Sequence, residues 1–228
     1  MKRILFVILL LSICSISHAQ LCVVDSILLS ANNEVYYIYA DIDANSENCI
    51  YYDMNADHSV IVKPGVAGAP SVTTINNKFI PFLEKAKTKY LEWSIVARER
   101  KTTLFSKNIG QISKVNSVFF FRDGQWYDCS AELLSVFRVD AEGNCYIVLE
   151  TGNLTAKEAI STSSNGFTFV LGQGLFWNSG KKHVIQEKHY TGTSLVFSSI
   201  DEVDLFIEKM KAAMDWKRNN LNEGKLFK

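Results

Sequence analysis

One pattern in this chain occurs twice, and it constrains the fold more than any other feature. Ile42-Asp43-Ala44 leads through a polar turn to Asn48-Cys49 and then to the strand-like Ile50-Tyr51-Tyr52. The same order returns as Val139-Asp140-Ala141, a turn one residue shorter, Asn144-Cys145, and Tyr146-Ile147-Val148-Leu149. A second pair of segments follows in the same sequence. Phe82-Leu83-Glu84-Lys85-Ala86-Lys87 matches Phe206-Ile207-Glu208-Lys209-Met210-Lys211, and Leu91-Glu92-Trp93 matches Met214-Asp215-Trp216. Two motifs kept in one order point to a duplicated unit. The second copy holds about 27 extra residues between its motifs, which reads as an inserted hairpin region.

Each copy reads as strands followed by one helix. In the first, Cys22 to Leu29, Val35 to Ile42, Cys49 to Tyr52 and Val60 to Val62 carry the β-branched and aromatic residues of strands, with turn residues between them. From Lys78 to Arg98 the apolar residues Phe79, Phe82, Leu83, Ala86, Tyr90, Trp93 and Ala97 advance by three or four, the helical period. Pro81 falls in the first turn, where backbone N–H groups have no helical partner. In the second copy Val118 to Phe121 is an apolar strand, and Trp126 to Val139 is strand-like, although Ala131 to Phe137 also fits a short helix. Turns are expected at Ser164-Asn165-Gly166 and at Thr191-Gly192. Ser199 and Glu202 form a capping box ahead of a helix striped by Val203, Phe206, Ile207, Met210, Ala213 and Met214, with fraying expected from residue 219. Strands with a covering helix, twice over, define an α+β class: two tandem units of antiparallel β-meander plus one α-helix. The boundaries read as 20–110 and 111–228, after an N-terminal segment of residues 1–19.

That segment has the three parts of an export signal. Lys2 and Arg3 precede an apolar run from Ile4 to Ile13, and Ser17-His18-Ala19 offers small residues for cleavage after Ala19. The run falls short of the roughly 20 apolar residues a membrane span needs, and no later run is long enough either. The expectation is a periplasmic or extracellular protein with a bacterial style of signal. Four cysteines then remain: Cys22, Cys49, Cys129 and Cys145. An even count in an exported chain reads as disulfides, here one within each copy, Cys22 with Cys49 and Cys129 with Cys145. The second pair flanks a turn near Asp140 to Asn144 and would need a kink to meet.

After cleavage, 22 Lys and Arg stand against 24 Asp and Glu. This balance excludes nucleic acid as the main partner, since phosphate binding calls for a basic excess. No phosphate loop, serine elbow or Cys-x-x-Cys zinc pattern occurs, and no cofactor is implied. Asp41-x-Asp43-x-Asn45 and Asp53-x-Asn55-x-Asp57 space oxygen ligands as calcium loops do, but lack the glycine at the sixth position and the glutamate at the twelfth, and read as turns. His183, Glu187 and His189 share one strand face and read as solvated polar residues. The suggestive residues are aromatic. Alternation puts Tyr37 and Tyr39 opposite Tyr36, away from the core, and Phe176 and Trp177 lie in a Gly-bounded segment read as a loop. Surface Tyr and Trp provide large contact area at low entropy cost, suited to protein or glycan surfaces. The expectation is a non-enzymatic binding protein. The alternatives are an extracytoplasmic hydrolase with paired carboxylates and a secreted inhibitor or immunity protein.

Overall fold

The computed structural model describes residues 21–41, 50–64, 75–122, 125–170 and 174–226. Its strands are β1 (Leu21–Leu29), β2 (Glu34–Asp41), β3 (Ile50–Asp53), β4 (Val60–Lys63), β5 (Phe105–Arg122), β6 (Gln125–Val139), β7 (Cys145–Thr151), β8 (Leu154–Val170), β9 (Gly174–Tyr190) and β10 (Ser194–Phe197). A π-helical turn (Ile75–Phe79) leads into helix α1 (Ile80–Glu99), and helix α2 (Ile200–Leu226) follows β10. The α+β class holds: one antiparallel sheet in the order β1-β2-β3-β4-β5-β6-β7-β10, with two helices. β5 crosses residue 110, and a single core cluster draws on strands and helices from both halves of the chain.

Each helix reaches across the sheet to strands of the other half of the chain as well as to its neighbour in sequence. α1, which follows β4, lies over β5, β6 and β7, while α2 lies over β1, β2, β3 and β10. Phe137 of β6 takes Tyr90 and Trp93 of α1 edge-on, at 6.0 and 5.7 Å between ring centres. Lys209 of α2 reaches Asp25 of β1 at 2.7 Å, and the buried Lys217 donates to the carbonyl oxygen of Asp41 at the end of β2. The sheet coils until its ends meet: the Ser30 hydroxyl beyond β1 and the Ser198 hydroxyl beyond β10 stand 2.6 Å apart, and Thr193, ahead of β10, donates to the Met54 carbonyl beyond β3 at 3.3 Å. At the centre Tyr52 stacks on Phe79 at 5.6 Å, and Phe206 meets Tyr52 at 5.3 Å and Phe197 at 5.4 Å.

Several expectations change. Ala131 to Phe137 is strand throughout, because β6 is paired on both edges, to β5 and β7. Asn165-Gly166 does not turn: Asn165 pairs with Ser179, and the ladder continues through Phe167–Trp177 to Val170–Gly174. A ladder continuous on both sides of Asn165-Gly166 leaves no place for a turn there. β9 and β10 flank the expected turn at Thr191-Gly192 but do not pair with each other; the chain steps there from β8 to β7. Gly192 makes that step feasible, since a Cβ on it would collide with the Thr151 carbonyl oxygen and stand 2.6 Å from that of Gly152.

The second disulfide does not form. Cys145 lies opposite Val139, while Cys129 sits ten residues back along β6, roughly 33 Å at about 3.3 Å per residue. A disulfide needs Cα atoms within about 7 Å. No disulfide joins Cys22, Cys129 or Cys145 among the described residues. Cys49, the expected partner of Cys22, lies outside the described residues, as do Asp43 and Asn45 of the first calcium-like pattern.

Candidate functional site

Strand alternation divides the tyrosines of β2 between two faces. Tyr36, Ile38 and Ala40 enter the main core. Tyr39 joins Tyr51 of β3 and Ile61 of β4 in a second, smaller cluster on the opposite face, against which Tyr37 packs. Tyr37 and Tyr39 thus face away from the main core, but Tyr39 is only 7% exposed and Tyr37 is half-buried. What they surround is a carboxylate. Asp53 at the end of β3 is fully buried; one of its oxygens accepts from the Tyr39 hydroxyl at 2.9 Å and the other from the Tyr37 backbone N–H at 2.7 Å. That second oxygen also stands 2.6 Å from Nδ1 of His58.

A tight turn brings His58 to this carboxylate. Asn55 accepts from the Val60 N–H at 2.9 Å and donates to the Ser59 hydroxyl at 2.7 Å, while Asp57 accepts from the Ser59 N–H at 2.9 Å. The oxygens spaced like calcium ligands are therefore occupied within the turn, and no cluster able to hold a metal occurs among the described residues. His58 closes the turn at φ +57°, in the left-handed region where His is tolerated better than most residues. The hydrogen bond to Asp53 raises its pKa above the ordinary value; burial opposes this, and the charges of Asp53, Asp57 and Glu34 reinforce it. Burial and then the charge of Asp53 hold the Tyr39 phenol firmly protonated.

A carboxylate that orients an imidazole is half of a general-base device. The His58 ring also packs against that of Tyr37, 4.8 Å between ring centres. An open cleft of about 400 Å³ lies elsewhere, between α1 and the β6–β7 turn, lined by Tyr90, Arg98, Asn144, Cys145, Tyr146 and Ser198. Tyr90 donates to the Cys145 carbonyl there at 3.2 Å. Burial pushes the Cys145 thiol up, against Arg98 and with Asp140, so the thiolate that a cysteine nucleophile needs is disfavoured.

Phe176 and Trp177 lie on β9, not on a loop. β8 and β9 form a long two-stranded arm. At its base β8 pairs with β6 at Cys129–Ala156 and Ser130–Thr155. Beyond Ala156–Lys188 the two strands pair with each other alone among the described residues, from Lys157–Glu187 to Val170–Gly174, roughly 45 Å at about 3.3 Å per residue. Phe167 pairs with Trp177, Thr168 with Phe176 and Phe169 with Leu175 at the far end. His183 and His189 keep the same parity on β9, and His189 at the base is exposed, with Nδ1 3.2 Å from the Thr155 hydroxyl.

Fold and site together define an α+β protein with a coiled sheet, a buried Asp53 paired with His58, and a long two-stranded β8–β9 ribbon. No helix among the described residues is long and apolar enough to cross a membrane. No family model matches the chain, and neither a curated protein nor a solved structure matches it.

Proposed function

We propose that this chain is an exported, non-enzymatic binding protein, released by cleavage after Ala19, which engages its partner through the β8–β9 arm. The observation that carries this reading is the place of the arm. β7 pairs directly with β10, from Ser194–Glu150 to Phe197–Ile147, so the sheet is complete without it. A two-stranded ribbon gains little stability alone in water. An arm that the scaffold does not need, ending in paired aromatic positions, is suited to contact with another surface.

The same topology supports two related, interleaved units. β1-β2-β3-β4-α1 and β5-β6-β7-β10-α2 have one element order, and each helix covers strands of the other unit. The repeated Asp-Ala…Asn-Cys pattern falls between second and third strands both times, and the arm accounts for the extra length of the second unit. The Asp53–His58 pair then serves as a clamp that fixes the β3–β4 hairpin.

The test is retention of the exported chain on an envelope extract. A Phe176→Ala/Trp177→Ala variant with an unchanged urea midpoint should bind at least about tenfold more weakly, the scale of losing aromatic contact residues. Equal retention of variant and wild type would remove the arm from the account.

A further inference from the structure

We infer that the surface met by the β8–β9 arm is an anionic lipid surface, touched at interfacial depth by the tip of the arm; this rests on the binding role proposed above. The argument lies in the order of residue types along the ladder. The four outermost pairs, Val170–Gly174, Phe169–Leu175, Thr168–Phe176 and Phe167–Trp177, place Phe167, Phe169, Leu175 and Trp177 on one face of the ribbon and Val170 and Phe176 on the other. The next three pairs, Gly166–Asn178, Asn165–Ser179 and Ser164–Gly180, hold only small and amide residues. Then comes a basic band: Ser163–Lys181, Thr162–Lys182 and Ser161–His183. The acidic residues of the ladder, Glu158 and Glu187, occur only near its base.

Distances decide what such an order fits. Lys181 lies four residues from Trp177, about 13 Å along the strand, and Glu187 lies ten residues from it, about 33 Å. Aromatic residues settle at the headgroup level, and interfacial segments sink about 5–10 Å. A tip at that depth brings the lysines within about 8 Å of the lipid surface, one Debye length at physiological salt. The glutamates then stand well outside that length. Attraction to anionic headgroups is felt and the repulsion is screened. The depth also has a ceiling. A ribbon of two strands has two open edges, whose backbone groups have no partner in hydrocarbon, so the arm rests in the interface and does not span.

The test is co-sedimentation of the chain, purified after export, with vesicles of phosphatidylcholine alone or with about one third phosphatidylglycerol. The wild type should sediment with the anionic vesicles at least about tenfold more tightly than with the neutral ones, and the preference should fade at high salt. Phe176→Ala/Trp177→Ala should weaken binding to both vesicle types by about tenfold or more. Lys181→Ala/Lys182→Ala, which leaves the tip intact, should erase the anionic preference alone. Absence of vesicle binding by the wild type overturns the lipid assignment, and so does vesicle binding that either pair of substitutions leaves unchanged. If the wild type ignores vesicles yet loses an envelope protein or its own dimer on Phe176→Ala/Trp177→Ala, the lipid assignment falls and the binding role of the arm stands.

Discussion

Replacing Phe206 by alanine should destabilise the fold by about 3–5 kcal/mol, the range for removing a buried phenylalanine ring. Phe206 is 1% exposed and joins elements from across the chain: Tyr52 of β3 at 5.3 Å, Phe197 of β10 at 5.4 Å and Phe79 of the π-helical turn at 6.4 Å. The void cannot collapse easily, because the strands on either side are fixed by their own ladders. A cavity that persists adds its own cost to the lost transfer energy. Urea unfolding should show a lower midpoint at unchanged slope. Leu205→Ala, one residue away and 40% exposed, should stay within about 0.5 kcal/mol of wild type.

Asp53→Ala should cost about as much, roughly 3–5 kcal/mol, for a different reason. It strips the partners from His58, from the Tyr39 hydroxyl and from the Tyr37 N–H together. Buried donors left without acceptors carry their full desolvation penalty. The pair also sets a pH dependence. The pKa of His58 is raised in the folded chain, so its contribution to stability is complete below the unfolded value of about 6.5 and is lost as pH rises through the folded value. Wild-type stability should therefore decline across that window. Asp53→Asn, which keeps the shape but removes the charge, should flatten the decline. A decline of equal slope in both proteins would show that His58 does not draw its shift from Asp53.

Helix α2 was largely legible from the sequence, because its signals are local. All six residues of its apolar stripe, from Val203 to Met214, are buried, and the Glu202 N–H is capped by the Ser199 hydroxyl at 3.2 Å. The reciprocal half of the capping box is absent. The Glu202 carboxylate accepts instead from Ser198 and from Ser30, at the far end of β1. Burial alone would raise its pKa, and these hydrogen bonds hold it below the ordinary range instead. A partner 172 positions away leaves no mark in a four-residue pattern. The helix also runs on to Leu226, past the expected fraying point.

Register set the limit elsewhere. Cys129 and Cys145 look like partners when counted along the chain, yet their separation depends on which residue of β6 faces Cys145. The Asp53–His58 pair did have a signal, a carboxylate and an imidazole five residues apart across a polar turn. Spacing alone reads as well as a cation loop; only the return of the hairpin, with His58 in a left-handed conformation, makes the two meet. Alternation placed Tyr37 and Tyr39 on the correct face, but not the second cluster that covers them.

The sheet should stand complete without the arm proposed to bind, and the decisive experiment is a variant in which Ala156 is joined to Lys188 through Asn-Gly, a pair that favours a two-residue hairpin turn. It should unfold in urea within about 1 kcal/mol of wild type, because β7 and β10 keep their own ladder, and it should lose its retention on envelope extracts and on anionic vesicles. A shortened chain that fails to fold, or one that folds and still binds like wild type, would contradict the division of labour between sheet and arm.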